Sequence, residues 1–342
     1  MNQMRRIICG LLTLVCCMAT AQTKTTVTVD KIWDNGTHAA FTSIIKYRGR
    51  YYCSFREGYS HIFDEKGLAE GKVRILESRN GRKWQSVACF GSEGIDLRDP
   101  KLSVTPDGRL MVTIGGSVYR DRKHVKSVPM VCFSTDGRNY TDPQPIEISP
   151  EARTTHDWVW RVTWHEGVGY GVSYSSQKKD TLTLLRTSDG IRYDLVKEMP
   201  IGGFPNETTL RFLPDGRMMQ MVRRDGADRQ GYWAVSRPPY TDWQWKPMGI
   251  QIGGQDFVML DETRLIMATR TYFTPGHCKT ALFKGTPEGN WDEVYVLPSN
   301  GDTSYPGLLV EDDQVWVSYY ASTAQPGKAA IYLAKLPIAL FQ

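Results

Sequence analysis

Apolar and polar residues alternate along this chain in short runs, and the runs are separated by Gly, Pro, Asn and Asp; neither the three-to-four spacing of an amphipathic helix nor a long helical stretch is present. The runs 42–47, 51–55, 73–77 and 85–90 read as four successive strands. The next group has 101–105, 110–114 and 130–134, and the one after it 160–164, 169–174 and 182–187. Residues 208–213 and 218–222 open a fourth group, 256–260 a fifth and 305–310 a sixth. Pro106-Asp107-Gly108 and Pro214-Asp215-Gly216 link first to second strands, because Pro presets φ and Gly accepts the left-handed region.

An aromatic residue closes a turn at Trp33, Trp84, Tyr140, Tyr193, Trp245 and Trp291, in steps of 46 to 56 residues. Three of these closures share a tighter pattern: Ser78-Arg79-Asn80-Gly81-Arg82-Lys83-Trp84, Ser134-Thr135-Asp136-Gly137-Arg138-Asn139-Tyr140 and Thr187-Ser188-Asp189-Gly190-Ile191-Arg192-Tyr193. In each, the Asx side chain can fold back on the backbone while Gly takes positive φ. A period of about fifty residues built from four strands predicts radial sheets. The sixth group lacks a fourth strand and the N-terminal run 26–33 lacks a partner, so pairing the two closes a ring. The expectation is an all-β, six-bladed β-propeller, with five blades as second choice.

Composition narrows the setting. Arg5 and Arg6, the apolar stretch 7–18 and Ala19-Thr20-Ala21 form the pattern of a secretory signal over 1–21, leaving 22–342 as one propeller domain. Export to the periplasm or beyond the cell is expected. A lipid anchor at Cys16 or Cys17 is the lesser alternative, since Val15 is not a small residue. Removing Arg5 and Arg6 takes the formal charge from +5 to +3, and no basic stripe points to nucleic acid. No second apolar stretch suggests a membrane span, and a monomer is expected. Cys53, Cys89, Cys132 and Cys278 fall in apolar runs without CxxC or zinc spacing, so buried free thiols are predicted, with neither metal nor cofactor.

In a propeller the starts of first strands and the ends of second strands converge on one mouth. Those positions hold Arg56, Glu57, His61 and Asp64; Arg98, Asp99 and Lys101; Trp158, Trp160 and Arg161; Glu207, Arg223 and Arg224; Asp256 and Arg270; and Asp302, Tyr305 and Tyr319. Guanidinium forks grip carboxylates, so the set suggests an anionic ligand, and carboxylates beside a tyrosine suggest chemistry on it. Trp158 and Trp160, two residues apart, offer one shared face to a sugar ring.

On these residues the chain resembles the sialidase superfamily of glycoside hydrolases, whose propellers carry Asp boxes. The stretch 206–223 is similar to the family segment with an acidic residue, a turn and a substrate-gripping arginine, which falls on Glu207 and Arg223. Tyr305 in Asp302-Thr303-Ser304-Tyr305-Pro306-Gly307 resembles the family's nucleophile, and Phe55-Arg56-Glu57-Gly58 with Asp64 resembles its first blade. The resemblance implies a Tyr305/Glu207 nucleophile pair, an acid at Asp64 and a glycan substrate gripped by Arg223; the rim residues add Asp99 or His61 as alternative acids, and Arg56, Arg98, Arg161, Arg270, His61, Asp302 and Trp158 as substrate contacts. It departs at 40–42, where the family's first carboxylate-binding arginine is missing, and in the boxes, which are one residue short and absent after the third group. A lyase acting on uronic acids, another propeller glycosidase suggested by Arg98-Asp99-Pro100, and a non-catalytic glycan-binding propeller are the competing readings.

Overall fold

The structure is a computed structural model and describes residues 26–274 and 277–342. The signal segment predicted over 1–21 lies outside the described residues. Nearly all regular structure is β, and the one helix among the described residues is the short 3-10 turn Ile338–Phe341. No helix there is long and apolar enough to cross a membrane.

Antiparallel meanders follow one another along the chain. The first is His38–Tyr47, Arg50–Gly58, Lys72–Ser78 and Gln85–Phe90; the last is Thr303–Glu311, Gln314–Ser322 and Ala329–Pro337. The N-terminal strand Thr28–Trp33 pairs antiparallel with Ala329–Pro337 and supplies the missing fourth member. The first strand of each meander lies against the first strand of the next, and Thr303–Glu311 returns to His38–Tyr47, so the sheets are arranged as in a propeller. Hydrogen bonding yields five sheets where the sequence period predicts six separate ones. The reason is one parallel pair, His38 with Ala329, which joins the first and last meanders into an eight-stranded sheet. An extra hairpin strand, Lys123–Ser127, extends the second meander, and the fourth ends in only Lys246–Pro247.

The core is a series of wedges between neighbouring sheets. Val73, Ile75, Leu97 and Val112 fill one, and Leu282, Leu308, Val317 and Ala334 another. At about 25 cal/mol per Å² of apolar surface, these wedges hold each sheet to its neighbours. Cys53 and Cys132 are buried free thiols, whereas Cys89, on the edge strand Gln85–Phe90, is exposed and Cys278 is half-buried.

The three boxes form as their residue types dictate. Ser134 Oγ accepts from Gly137 N, and Asp136 Oδ1 from Arg138 N and Asn139 N, at 2.8 Å each. The same pattern recurs at Ser78/Asn80 and Thr187/Asp189. Gly137 sits at φ +77°, and a Cβ there would lie 2.3 Å from Tyr52 Oη of the preceding sheet. The box therefore fixes a turn and docks it on a neighbour.

Candidate active site

Pairing between first and second strands slips at one place in five meanders: between Ala40 and Ser43, Arg98 and Lys101, Val159 and Val162, Pro205 and Thr208, and Ser304 and Gly307. Such bulges re-aim side chains at sheet ends. At three of them a residue other than glycine takes the left-handed region: Phe41 (φ 69°), Asp99 (φ 49°) and Tyr305 (φ 49°). Each costs on the order of 1 kcal/mol, which the surrounding ladders must offset. Residues distant in the chain thereby reach a common place.

Tyr305 and Glu207 meet there. The Tyr305 hydroxyl donates to Glu207 Oε1 at 2.5 Å, Arg223 Nη1 donates to the same oxygen at 3.0 Å, and Gly254 N to Oε2 at 2.6 Å. Burial pushes the Glu207 carboxyl up, but the Arg223 charge, the Tyr305 hydroxyl and the Gly254 amide outweigh it and hold it below the ordinary range. Burial, reinforced by the Glu207 charge, pushes the Tyr305 phenol well above its ordinary value. A neutral phenol thus donates to an ionised carboxylate, a geometry in which the carboxylate could accept the phenolic proton.

The Tyr305 ring packs on Phe41 at 4.7 Å and Trp160 at 5.6 Å between centroids. Lys101 Nζ, buried, lies 4.7 Å from the Trp160 ring centre and donates to Thr42 O at 2.9 Å. Asp99 is buried beside it, and its Oδ1 has no partner. Burial pushes the Asp99 carboxyl up to about 6, against the opposing pull of Lys101 and Arg98. Asp64 is differently employed: its Oδ1 accepts from Leu68 N at 2.7 Å, and its backbone closes the same loop.

The arginines divide. Arg223 holds Glu207 and also Asp225. Arg270 donates through Nη2 to Asp302 at 3.0 Å and to the Tyr320 hydroxyl at 2.7 Å. Arg98 Nη1 donates to Asp96 and to His61 O at 3.0 Å each, with its guanidinium 4.9 Å from the Phe41 ring centre. Arg56 is fully buried against Asp96 and Ser60 O, whereas Arg161 is buried with Nη1 on Asp256 and its Nε and Nη2 without a partner. Arg224 turns away to Asp228 and Gly202 O, and does not join Glu207 as the hairpin pattern predicts. Glu57 likewise pairs with Arg74 and Trp33, and Trp158 is buried against Tyr174.

One predicted rim residue is out of phase. Tyr319 stacks on Tyr332 and donates to Pro298 O, while Tyr320, its neighbour, reaches Arg270 and Asp302. Strand alternation makes a one-residue error into a change of face. Sequence reasoning also missed Phe41, Asp96, Tyr320 and His38. Of these only Asp96, acidic and two residues before Arg98 at a strand start, carried a usable signal. Among the described residues, His38, His61 and Asp302 form the one cluster of possible metal ligands, with their ligand atoms within 4.8 Å of one another.

No family model matches the chain, and no curated protein is significantly similar to it in sequence. Solved structures do share its fold. A protein of unknown function from Dyadobacter fermentans superposes with TM-score 0.78 at 20% identity, over 91% of this chain and 99% of that one. Trypanosoma rangeli sialidase, solved with the inhibitor DANA, gives TM-score 0.68 at 11% identity, over 90% of this chain and 59% of that one. The NanB sialidase of Streptococcus pneumoniae gives TM-score 0.68 at 10% identity, over 92% and 71%. The chain therefore has a divergent sialidase-like fold.

Proposed function

We propose that this protein is an exported glycoside hydrolase with a six-bladed propeller, cleaving a terminal, anionic sugar from a glycan. The observation that carries the reading is the 2.5 Å bond between Tyr305 Oη and Glu207 Oε1, made across 98 residues of chain. Tyr305 attacks the anomeric carbon as Glu207 takes the phenolic proton, the glycosidic C–O bond breaks, and a carboxylic acid protonates the leaving oxygen. Water then releases the sugar, with the same carboxylate as base. A neutral phenol suits an anionic sugar because it avoids the repulsion a carboxylate nucleophile would meet.

Asp99 is the acid in this reading, because its raised pKa holds a proton to higher pH than an ordinary carboxyl does and its free oxygen has no structural duty. Asp64 is already committed to the Leu68 amide. Arg270 and Arg98 are the guanidiniums left to meet the anionic group, with Arg223 holding Glu207.

The test is a panel of sialosides, other ulosonic acids, uronates and rhamnosides, assayed with wild type, Tyr305→Phe, Glu207→Gln, Asp99→Asn and Asp64→Asn. Turnover should fall by 10² or more in the first three variants and stay within a few-fold in Asp64→Asn. An unsaturated, ultraviolet-absorbing product would replace this reading with a lyase. Ligand binding without turnover in wild type would replace it with a glycan-binding propeller.

A further inference from the structure

His38 is a buried imidazole with an unmet need. It is 4% exposed, and its Nδ1 has no partner. A neutral imidazole carries one donor and one acceptor, and buried polar atoms are almost always satisfied. Its ring meets His61 edge-on at 5.3 Å between centroids. Asp302 completes the set from the start of the last meander, so the three ligands come from separate parts of the chain. Their spacing in the sequence carries no zinc signature for that reason.

We propose that His38, His61 and Asp302 bind a borderline transition-metal ion of the zinc class on the rim of the mouth, beside Phe41. Two imidazole nitrogens and one carboxylate oxygen are the donor set of zinc sites that keep a position open for water or ligand. Calcium and magnesium demand mostly oxygen donors and are excluded as primary occupants. Metal–ligand bonds of about 2.0–2.2 Å need the three atoms closer than 4.8 Å, and His61 and Asp302, both on the accessible side, can close that gap by side-chain rotation.

Neighbouring charge sharpens the choice of metal. Arg56 and Arg98 share Asp96, and Arg270 is held by Asp302. The residual positive charge opposes any cation bound by electrostatics alone, which leaves ions bound through nitrogen coordination. Arg270 and Tyr320 both bond to Asp302 Oδ1, leaving Oδ2 as the ligand atom and orienting the carboxylate from outside, as outer-shell partners do. Arg98 Nη2 lies 3.4 Å from His61 Nε2, a long contact that a metal would displace or bypass through Nδ1. The site stands whether or not Tyr305 and Glu207 act as a nucleophile pair.

Chelator-stripped protein should be dialysed against Zn2+ and analysed for metal, with Co2+ absorption as a second readout. The expected result is one zinc per chain with Kd of roughly 10 µM or below. His61→Ala and Asp302→Asn should each weaken binding at least about tenfold, and His38→Ala should do the same and alter the Co2+ spectrum. His61 is exposed, so His61→Ala keeps the test alive if His38→Ala fails to fold. The other histidine pair, His124 with His156 at 5.3 Å, serves as control, and His124→Ala should leave binding unchanged. Absence of stoichiometric zinc on the wild type, persistence of full affinity in His61→Ala, or loss of binding in His124→Ala would each overturn the proposal.

Discussion

Deleting the Tyr305 hydroxyl with Tyr305→Phe removes one of three donors from a carboxylate that is 4% exposed. A hydrogen bond to a charged group contributes about 1.5–3 kcal/mol net, so the variant should lose about 2 kcal/mol of stability. Glu207→Gln keeps the shape but removes the charge and turns one acceptor into a donor facing other donors. Breaking a buried pair costs about 3–5 kcal/mol, and the lower end applies because Arg223 keeps Asp225 at 3.1 Å. The hydroxyl–carboxylate bond is absent from either single variant, so the double variant should fall short of additivity by about 1.5–2 kcal/mol. Urea unfolding of all four proteins at neutral pH reads this directly. The sign with pH is fixed as well: a carboxyl held below its ordinary value stabilises above the unfolded pKa, and the advantage over Glu207→Gln fades as pH falls through the folded value. Additivity to within about 0.5 kcal/mol would refute the claim that Tyr305 and Glu207 act as one unit.

Two further outcomes test the surroundings. Asp99 is raised from 3.8 to about 6, so the native state holds its proton more tightly than the unfolded chain. The Asp99 contribution to stability should therefore decline by about 3 kcal/mol as pH rises from about 4 to about 6, read as the difference in slope between wild type and Asp99→Asn in a denaturation series. Gly137→Ala should destabilise by about 2–4 kcal/mol in thermal or urea melts, since it places a side chain at φ +77° and a Cβ 2.3 Å from Tyr52 Oη; a neutral result would remove the box from its docking role.

Much of the architecture was readable because its causes are local. Pro-Asp-Gly turns, the Ser/Thr-x-Asx-Gly boxes and the alternation of residues 85–90 specify strands and connectors without reference to anything far away. The strand 85–90 matches the structure at both ends, whereas 42–47 grows to His38–Tyr47, because its bulge at Phe41 breaks the alternation that would reveal the earlier residues. Tyr305, Glu207 and Arg223 were legible from a resemblance of short motifs, and the structure brings the three into contact. Arg224, Glu57 and Tyr319 were misassigned to the mouth: Glu57 and Arg224 each follow a residue already placed there, Arg56 and Arg223, and strand neighbours point to opposite faces, while Tyr319 stands one residue out of phase with Tyr320.

The sequence alone determined the β repeat and its turns, and flagged the N-terminal run as the partner that the last meander lacks, since these follow from backbone conformations set within a few residues. Only the tertiary structure decided which side chains share the mouth, because bulges at 41, 99 and 305 redirect the chain by amounts no hydrophobic pattern records. It also decided which arginines are buried in their ion pairs, Arg56 with Asp96 and Arg161 with Asp256, and which, like Arg98 and Arg270, keep part of the side chain exposed. Charge pairing depends on distance through space, and neighbours in this ring stand hundreds of residues apart in the chain, as Thr42 Oγ1 does from the Tyr305 carbonyl it bonds at 2.8 Å.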